Sequence, residues 1–144
     1  MRFFFLLIGC LFILSSNTCK KTTREQAAGA DSLSLHRSGG FAGFSDYYMI
    51  YPDKVLKDNT PHDQEHIYDY PETSKIAAGR ALLKNIPDVM WAHNNGDYGT
   101  TVADGIDYSI TAYVKGEEYS WIIRHDPPEQ IQQYAQRINE FFSK

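Results

Sequence analysis

The most regular hydrophobic pattern in the chain is an alternation that runs through its last third. Apolar side chains occupy every second position over one stretch: Ile106, Tyr108, Ile110, Ala112 and Val114. A period of two is typical of a β-strand that buries one face. Gly116 follows as a turn residue, and residues 119–124 have the aromatic and β-branched character of a returning strand. The pattern therefore predicts an antiparallel β-hairpin.

A second pair of strands is predicted closer to the N-terminus. Residues 33–37 alternate apolar and polar side chains. Residues 44–51 are aromatic and β-branched in character, and Pro52 ends them. Between the two segments lies a glycine-rich turn, residues 38–43. The order strand, turn, strand predicts another hairpin.

Two further segments show helical spacing. Residues 72–85 carry apolar side chains near a period of 3.6 and end before Pro87. Near the C-terminus, Asp126 can cap a helix that has Pro127 at its first position and Glu129 at its third. The apolar residues that follow form one stripe: Ile131, Tyr134, Ala135, Ile138 and Phe142. The stripe predicts a closing helix that covers a sheet.

These elements predict an α+β fold of order ββαββα. Residues 53–70 and 92–105 are polar and contain proline or several glycines, so we expect both to be loops. The four strands then form an antiparallel four-stranded sheet, and the two helices pack on one of its faces.

The beginning of the chain has the pattern of an export signal. Arg2 precedes an apolar run, residues 3–14, that is too short to cross a bilayer as a helix. The residues that follow, up to Cys19, resemble the lipobox of bacterial lipoproteins, in which the cysteine is lipidated and becomes the mature N-terminus. We therefore expect an exported protein that is lipid-anchored in the bacterial cell envelope, at the outer membrane or in the periplasm.

This interpretation divides the chain into a signal peptide at residues 1–18, a lipidated tether at residues 19–30 and a single domain at residues 31–144. The segment that ends at Cys10 matches the lipobox letters better than the segment that ends at Cys19, but cleavage there would leave too short an apolar run. Ordinary secretion and a buried apolar N-terminus remain as alternatives.

Charge and cysteine content narrow the classes of function. The formal net charge is −4, which argues against nucleic acid as a partner. Both cysteines, Cys10 and Cys19, lie in the N-terminal segment, so the domain has no disulfide and its stability depends on a hydrophobic core. Lys20 and Lys21 lie beside the lipidation site, where they can contact anionic headgroups.

One motif suggests a metal site. His62, Glu65 and His66 match H-x-x-E-H, the motif of the inverted zincins, in which two histidines on one helix face hold zinc. The surrounding segment is polar and lacks the apolar periodicity that would bury such a helix. The domain sequence also has no G-x-S-x-G elbow and no cysteine nucleophile. We therefore expect no metal, no cofactor and no enzymatic activity.

The glycine-rich turn resembles a known family. Residues 37–43, Arg-Ser-Gly-Gly-Phe-Ala-Gly, resemble a signature of the emfourins, small bacterial protein inhibitors of thermolysin-type, protealysin-like metallopeptidases. Residues 104–110 resemble the D-G-x-x-Y entry to a strand of that family. The resemblance implies a proteinaceous inhibitor whose partner is a metallopeptidase. It also implies target contact by one loop: Arg37, Ser38, Gly39, Gly40, Phe41, Ala42 and Gly43.

The residues of this turn are compatible with an inhibitory loop and also with a plain hairpin turn. Glycines permit positive φ and would hold Phe41 on a narrow, rigid loop that could enter an active-site cleft. Arg37 could pair with acidic groups at the rim of that cleft, and residues 94–104 could supply a second contact. The structural alternative is a plain hairpin turn with Phe41 folded onto the core.

Two other functions stay open. The first is a non-inhibitory cell-envelope module that binds a glycan or a protein through exposed tyrosines and tryptophans. The second is a zinc-dependent enzyme, which rests on the H-x-x-E-H motif alone.

Overall fold

The computed structural model describes residues 29–41, 43–60 and 65–143. The predicted signal peptide, the predicted lipidation site and most of the predicted tether lie outside these ranges. Two residues of predicted sites, Ala42 and His62, also lie outside them.

Seven strands form one sheet in the described part of the chain. In chain order they are β1 (Ser32–Gly39), β2 (Phe44–Ile50), β3 (Val55–Asp58), β4 (Tyr68–Pro71), β5 (Gly96–Tyr98), β6 (Ile106–Val114) and β7 (Glu117–Ile123). Their spatial order is β4-β3-β2-β1-β6-β7-β5. Neighbouring strands are antiparallel except for β5 and β7, which are parallel. The sheet is therefore mixed.

The prediction of a four-stranded antiparallel sheet with two helices is wrong. The four predicted strands do form, and they make up the centre of the sheet as β2-β1-β6-β7. Strand β3 lies within residues 53–70, β4 begins within them and ends at Pro71, and β5 lies within residues 92–105; both ranges were predicted to be loops. Each of these strands has only three or four residues, too few to show an alternation. Strands β3 and β5 pair with the longer strands β2 and β7, and β4 pairs with β3.

The helices also differ from the predicted pair. They are α1 (Ile76–Lys84), preceded by a 3₁₀ turn (Thr73–Lys75), α2 (Asp88–Trp91) and α3 (Glu129–Ser143). The short α2 was not predicted because four residues carry no helical period. Helix α3 begins later than expected: the N–H groups of Ile131 and Gln132 donate to the Pro128 carbonyl. Asp126, the predicted cap, has a left-handed φ of 51°.

Among the described residues, the core lies between one face of the sheet and the helices. Its fully buried side chains include Leu33, Ile110 and Trp121 from the sheet, and Leu82 and Ile138 from α1 and α3. The predicted stripe of α3 is buried except at its end, where Phe141 occupies the core and Phe142 is only partly buried.

Gly79 allows α1 to pack close to the sheet. A Cβ at this position would lie 2.8 Å from Ile50 Cγ2 and 2.9 Å from Val55 Cγ2, closer than real Cβ atoms approach side chains. Glycine is a poor helix former, so its presence in the middle of α1 is explained by this packing.

The opposite face of the sheet, which we call the open face, carries no helix among the described residues. Strand alternation places mainly hydroxyl and ring side chains there: Ser34, His36, Tyr47, Ser109, Thr111 and Ser120. A sheet with one solvated face typically shows this division into apolar and polar sides. The described helices include none with the length and apolar character needed to span a bilayer.

Candidate functional site

The turn between β1 and β2 presents Phe41 to solvent. Gly39, Gly40 and Gly43 all have positive φ, at 97°, 73° and 64°. The Gly43 N–H donates a hydrogen bond of 3.0 Å to the Gly40 carbonyl and closes the turn. The Phe41 side chain at its tip is 96% exposed. An exposed phenylalanine on a closed glycine turn has the form of an anchor for a partner.

A second loop is fixed against this turn. The Gly40 N–H donates a hydrogen bond of 2.9 Å to the Gly105 carbonyl, and the Gly105 N–H donates one of 3.0 Å to the Val102 carbonyl. Val102 is 41% exposed. We call the combined surface of Gly39–Phe41, Gly43 and residues 102–105 the tip surface. It brings two exposed apolar side chains, Phe41 and Val102, to the same end of the sheet.

The remaining residues of the predicted loop belong to β1. Arg37 lies on the helix side of the sheet, where its guanidinium pairs with Asp46 and lies 4.4 Å from the centroid of the Phe142 ring. Burial alone would raise the pKa of Asp46, but hydrogen bonding and the charge of Arg37 lower it overall. Ser38 pairs with Ser45 in the ladder of β1 and β2. The predicted loop therefore has two parts: Arg37 and Ser38 belong to the sheet, and the glycine turn that follows them is exposed.

A cavity of about 650 Å³ opens beside the tip surface. We call it the tip cavity. Its sides are formed by the 102–105 loop, the start of β6, residues 124–127 after β7 and the middle of α3. The inner wall is largely apolar: Ile106, Tyr108, Pro127 and Ala135. The exposed residues around its opening include Val102, Asp104, His125 and Asp126. This cavity was not predicted, because its walls come from segments far apart in the sequence.

Arg124 lies at the edge of the tip cavity and is shared by two carboxylates. Its Nε and Nη2 donate to Asp97 at 2.8 and 3.1 Å, and its Nη1 donates to Asp107 at 2.6 Å. Hydrogen bonds from Arg124 lower the pKa of Asp97. The guanidinium is therefore already neutralised within the domain and is not available to attract an anion.

The described part of the H-x-x-E-H motif forms a stacked cluster on the open face. The Tyr47 ring lies between His36 and His66, with centroids 3.8 and 4.0 Å away. The His66 Nδ1 contacts the Asp58 carboxylate, which also accepts from the Thr60 and Ile67 N–H groups at 2.9 and 3.2 Å. These contacts hold the segment before β4 against β2.

This arrangement differs from a zinc-binding helix. Glu65 and His66 are not helical, and His62 lies outside the described residues. Within residues 29–41, 43–60 and 65–143, no three His, Cys, Asp or Glu side chains are grouped as metal ligands would be. The absence of zinc binding at His62, Glu65 and His66 stays a prediction, to be tested by calorimetry.

His36 is the least satisfied polar group of the cluster. Its Nε2 is buried and has no hydrogen-bond partner among the described residues. Burial lowers the pKa of His36, and the nearby His66 lowers it further. The ring of His36 is therefore held in its neutral form more strongly than an exposed histidine would be.

A smaller cavity of about 320 Å³ lies on the open face over β6 and β7. The open-face side chains that line it are Ser109, Thr111, Ser120 and Ile122. The hydroxyls of Thr111 and Ser120 are hydrogen-bonded at 3.1 Å. Sequence reasoning missed this row of hydroxyls, although they occupy the polar positions of the alternation in β6.

No protein-family model, curated protein or solved structure matches this chain. The resemblance to the emfourins therefore rests on residues 37–43 and 104–110, two segments that the Gly40–Gly105 hydrogen bond brings side by side.

Proposed function

We propose that this protein inhibits a thermolysin-type metallopeptidase by inserting the β1–β2 turn into the active-site cleft. The observation that carries the proposal is the exposure of Phe41, which is 96% accessible at the tip of a closed glycine turn. The resemblance of residues 37–43 to the emfourin signature supports the same function.

The geometry of the turn suits competitive inhibition. Three glycines with positive φ keep the backbone beside Phe41 narrow, so the ring can enter a cleft ahead of the sheet. The hydrogen bonds from Gly43 to Gly40 and from Gly40 to Gly105 limit the freedom of the turn before binding. A turn that is ordered beforehand loses less conformational entropy in the complex, which favours affinity. Val102 supplies a second apolar contact at the cleft rim.

Arg37 has an indirect role in this proposal. Its ion pair with Asp46 and its position over Phe142 stabilise the base of the hairpin. The target is therefore contacted by Gly39, Gly40, Phe41, Ala42 and Gly43, with Ser38 at the edge of the contact.

Titration of a thermolysin-type peptidase with the mature chain tests the proposal. We expect stoichiometric loss of peptide hydrolysis with the wild-type chain and at least about thirtyfold weaker inhibition with Phe41→Ala. Tyr70→Ala is the matched control, because Tyr70 is also an exposed aromatic residue, 54% accessible, but lies on β4. A wild-type chain that is inert against several such peptidases, or an equal loss with Tyr70→Ala, would contradict the proposal.

The proposed inhibitor acts from the cell envelope, anchored through a lipid on Cys19 after removal of residues 1–18. Fractionation of cells that express Cys19→Ala tests this location, with Cys10→Ala as the control. We expect only the Cys19 variant to leave the membrane fraction. Retention of the Cys19 variant, together with release of the Cys10 variant, would contradict the assignment.

A second candidate function is glycan binding by the open face, in a protein that does not inhibit peptidases. The observation that favours it is the hydroxyl-lined cavity over β6 and β7, since neutral hydroxyl groups can hydrogen-bond a polyhydroxyl ligand. Binding of neutral cell-envelope glycans that is lost in Thr111→Val and retained in Phe41→Ala would support this function. The reverse pattern would exclude it.

A further inference from the structure

The tip cavity combines apolar walls with an acidic opening. Ile106, Pro127 and Ala135 line its inner part, whereas Asp104 and Asp126 are exposed at its opening. A side chain that fits such a site needs an apolar stem for the walls and a polar end for the opening.

The charge at the opening is negative. Arg124 is itself part of the cavity lining, and its guanidinium is hydrogen-bonded to both Asp97 and Asp107. Asp104 and Asp126 make no ion pair with any residue in the described part of the chain. Carboxylates without an internal partner at the mouth of a cavity attract a cation and repel an anion.

We propose that the tip cavity receives an arginine or lysine side chain from the surface of the partner that Phe41 engages. The aliphatic stem packs against Ile106 and Pro127, and the cationic end meets Asp104 and Asp126. This inference rests on the proposed function. It adds that the cavity recognises a basic residue of the target near the active-site cleft. The Gly40–Gly105 hydrogen bond places the Phe41 turn directly beside the cavity, so one partner surface can meet both.

The charge pattern distinguishes this occupant from a second copy of the chain. If Phe41 of another copy filled the cavity, the two acidic openings would face each other near the symmetry axis, and their repulsion would oppose association. A purely apolar side chain would leave the carboxylates at the opening without a partner.

The first experiment uses a small probe and requires no peptidase. N-acetyl-arginine amide is added to the isotope-labelled mature chain, and the amide resonances of residues 102–106 are followed by NMR. We expect saturable shifts with this probe and none with N-acetyl-citrulline amide, which has nearly the same shape but no charge. The double variant Asp104→Asn/Asp126→Asn should lose the shifts. Asparagine tolerates the left-handed φ of Asp126, so the variant keeps the backbone.

The matched control removes two carboxylates elsewhere. Asp53→Asn/Asp69→Asn changes exposed residues at the β2–β3 turn and on β4, and it should respond to the probe as the wild type does. Equal shifts with the citrulline probe, no shifts with either probe, or unchanged shifts in the Asp104/Asp126 variant would overturn the proposal. Self-association of the wild type that disappears in Phe41→Ala would also overturn it, in favour of a second copy.

The second experiment measures inhibition of a thermolysin-type peptidase at different salt concentrations. We expect inhibition by the wild type to weaken roughly tenfold between about 0.05 and 0.5 M salt, because screening removes the attraction. The Asp104/Asp126 variant should start weaker and change little. Inhibition that is independent of salt and of these residues would overturn the cavity proposal and leave the Phe41 proposal intact. If no peptidase is inhibited, the function proposed above fails, and the NMR experiment still decides the cavity.

Discussion

The buried ammonium of Lys75 donates a hydrogen bond of 2.6 Å to the backbone carbonyl of Phe141. This contact joins the 3₁₀ turn before α1 to the last turn of α3, the two longest helices that pack on the sheet. The same ammonium lies 5.0 Å from the centroid of the Phe141 ring. Burial lowers the pKa of Lys75, because removing the ammonium from water disfavours its charged form. The hydrogen bond and the ring contact offset this desolvation cost.

Shortening Lys75 should therefore destabilise the packing of the helices. We expect Lys75→Ala to lower the free energy of unfolding by about 2 kcal/mol, because it removes both the hydrogen bond and the packing of the stem. Lys75→Met keeps the stem and should recover part of the loss. Chemical denaturation measures both, and Lys84→Ala on the exposed side of α1 is the control. If Lys75→Ala costs no more than Lys84→Ala, the contact is not stabilising.

The stability should fall in mildly acidic solution because of His36. Burial and the nearby His66 put the pKa of His36 in the folded state below the ordinary value of 6.5. Between the lowered pKa of the folded state and pH 6.5, the unfolded chain binds more protons than the folded chain. The free energy of unfolding therefore decreases as the pH falls through this window. The lowered pKa values of Asp46 and Asp58 act in a separate window, below their usual 3.8.

Replacement of the titrating ring isolates the contribution of His36. His36→Phe keeps an aromatic ring against Tyr47 and should make the free energy of unfolding less dependent on pH between about pH 8 and pH 5. The groups beside His36 are Tyr47 from β2, Ser109 from β6 and His66, and the charge of Asp46 partly opposes the lowering of its pKa. Urea titrations at several pH values provide the measurement. An unchanged pH dependence in the variant would assign the acid sensitivity to another group.

The two ends of the glycine turn should differ in their tolerance of a side chain. A Cβ on Gly39 would come well inside 3.0 Å of the Gly105 carbonyl oxygen, whereas a Cβ on Gly43 would meet nothing within 4 Å. Both have positive φ, so Gly43→Ala should cost about 1 kcal/mol from backbone strain alone. Gly39→Ala should cost more than about 2 kcal/mol, because the clash also separates the two loops of the tip surface. Thermal unfolding of both variants compares them, and equal costs would contradict this account.

Sequence patterns predicted those elements that are long enough to repeat a strand or helix period several times. The nine residues of β6 and the fifteen of α3 each show several cycles, and both elements form, although α3 begins later than its predicted cap. Strand β5 has three residues and pairs in parallel with β7, so its existence depends on a partner that is distant in the sequence. Such strands are specified by tertiary pairing, which no local pattern records.

In the candidate site, too, local sequence predicted some features, whereas others depend on contacts between distant segments. The glycine content of residues 38–43 correctly predicted a tight turn, but it left two orientations for Phe41, inward to the core or outward to solvent. Only the packing of the whole domain decides between them, and in the folded domain the ring points outward and is 96% exposed. The pairing of Gly40 with Gly105, and hence the tip cavity, depends on the adjacency of β1 and β6.

The position of Phe41 leads to opposite expectations for stability and for binding. An anchor that enters a partner is exposed beforehand, so Phe41→Ala should change the free energy of unfolding by less than about 0.5 kcal/mol. Ile138→Ala is the control for a core residue and should cost roughly 2–5 kcal/mol, because Ile138 is fully buried in α3. The same Phe41→Ala change should weaken the complex with the target by at least about 2 kcal/mol. Thermal melts beside inhibition assays measure both quantities. A loss of stability in Phe41→Ala close to that of Ile138→Ala would place the ring in the core and remove the basis for the inhibitory turn.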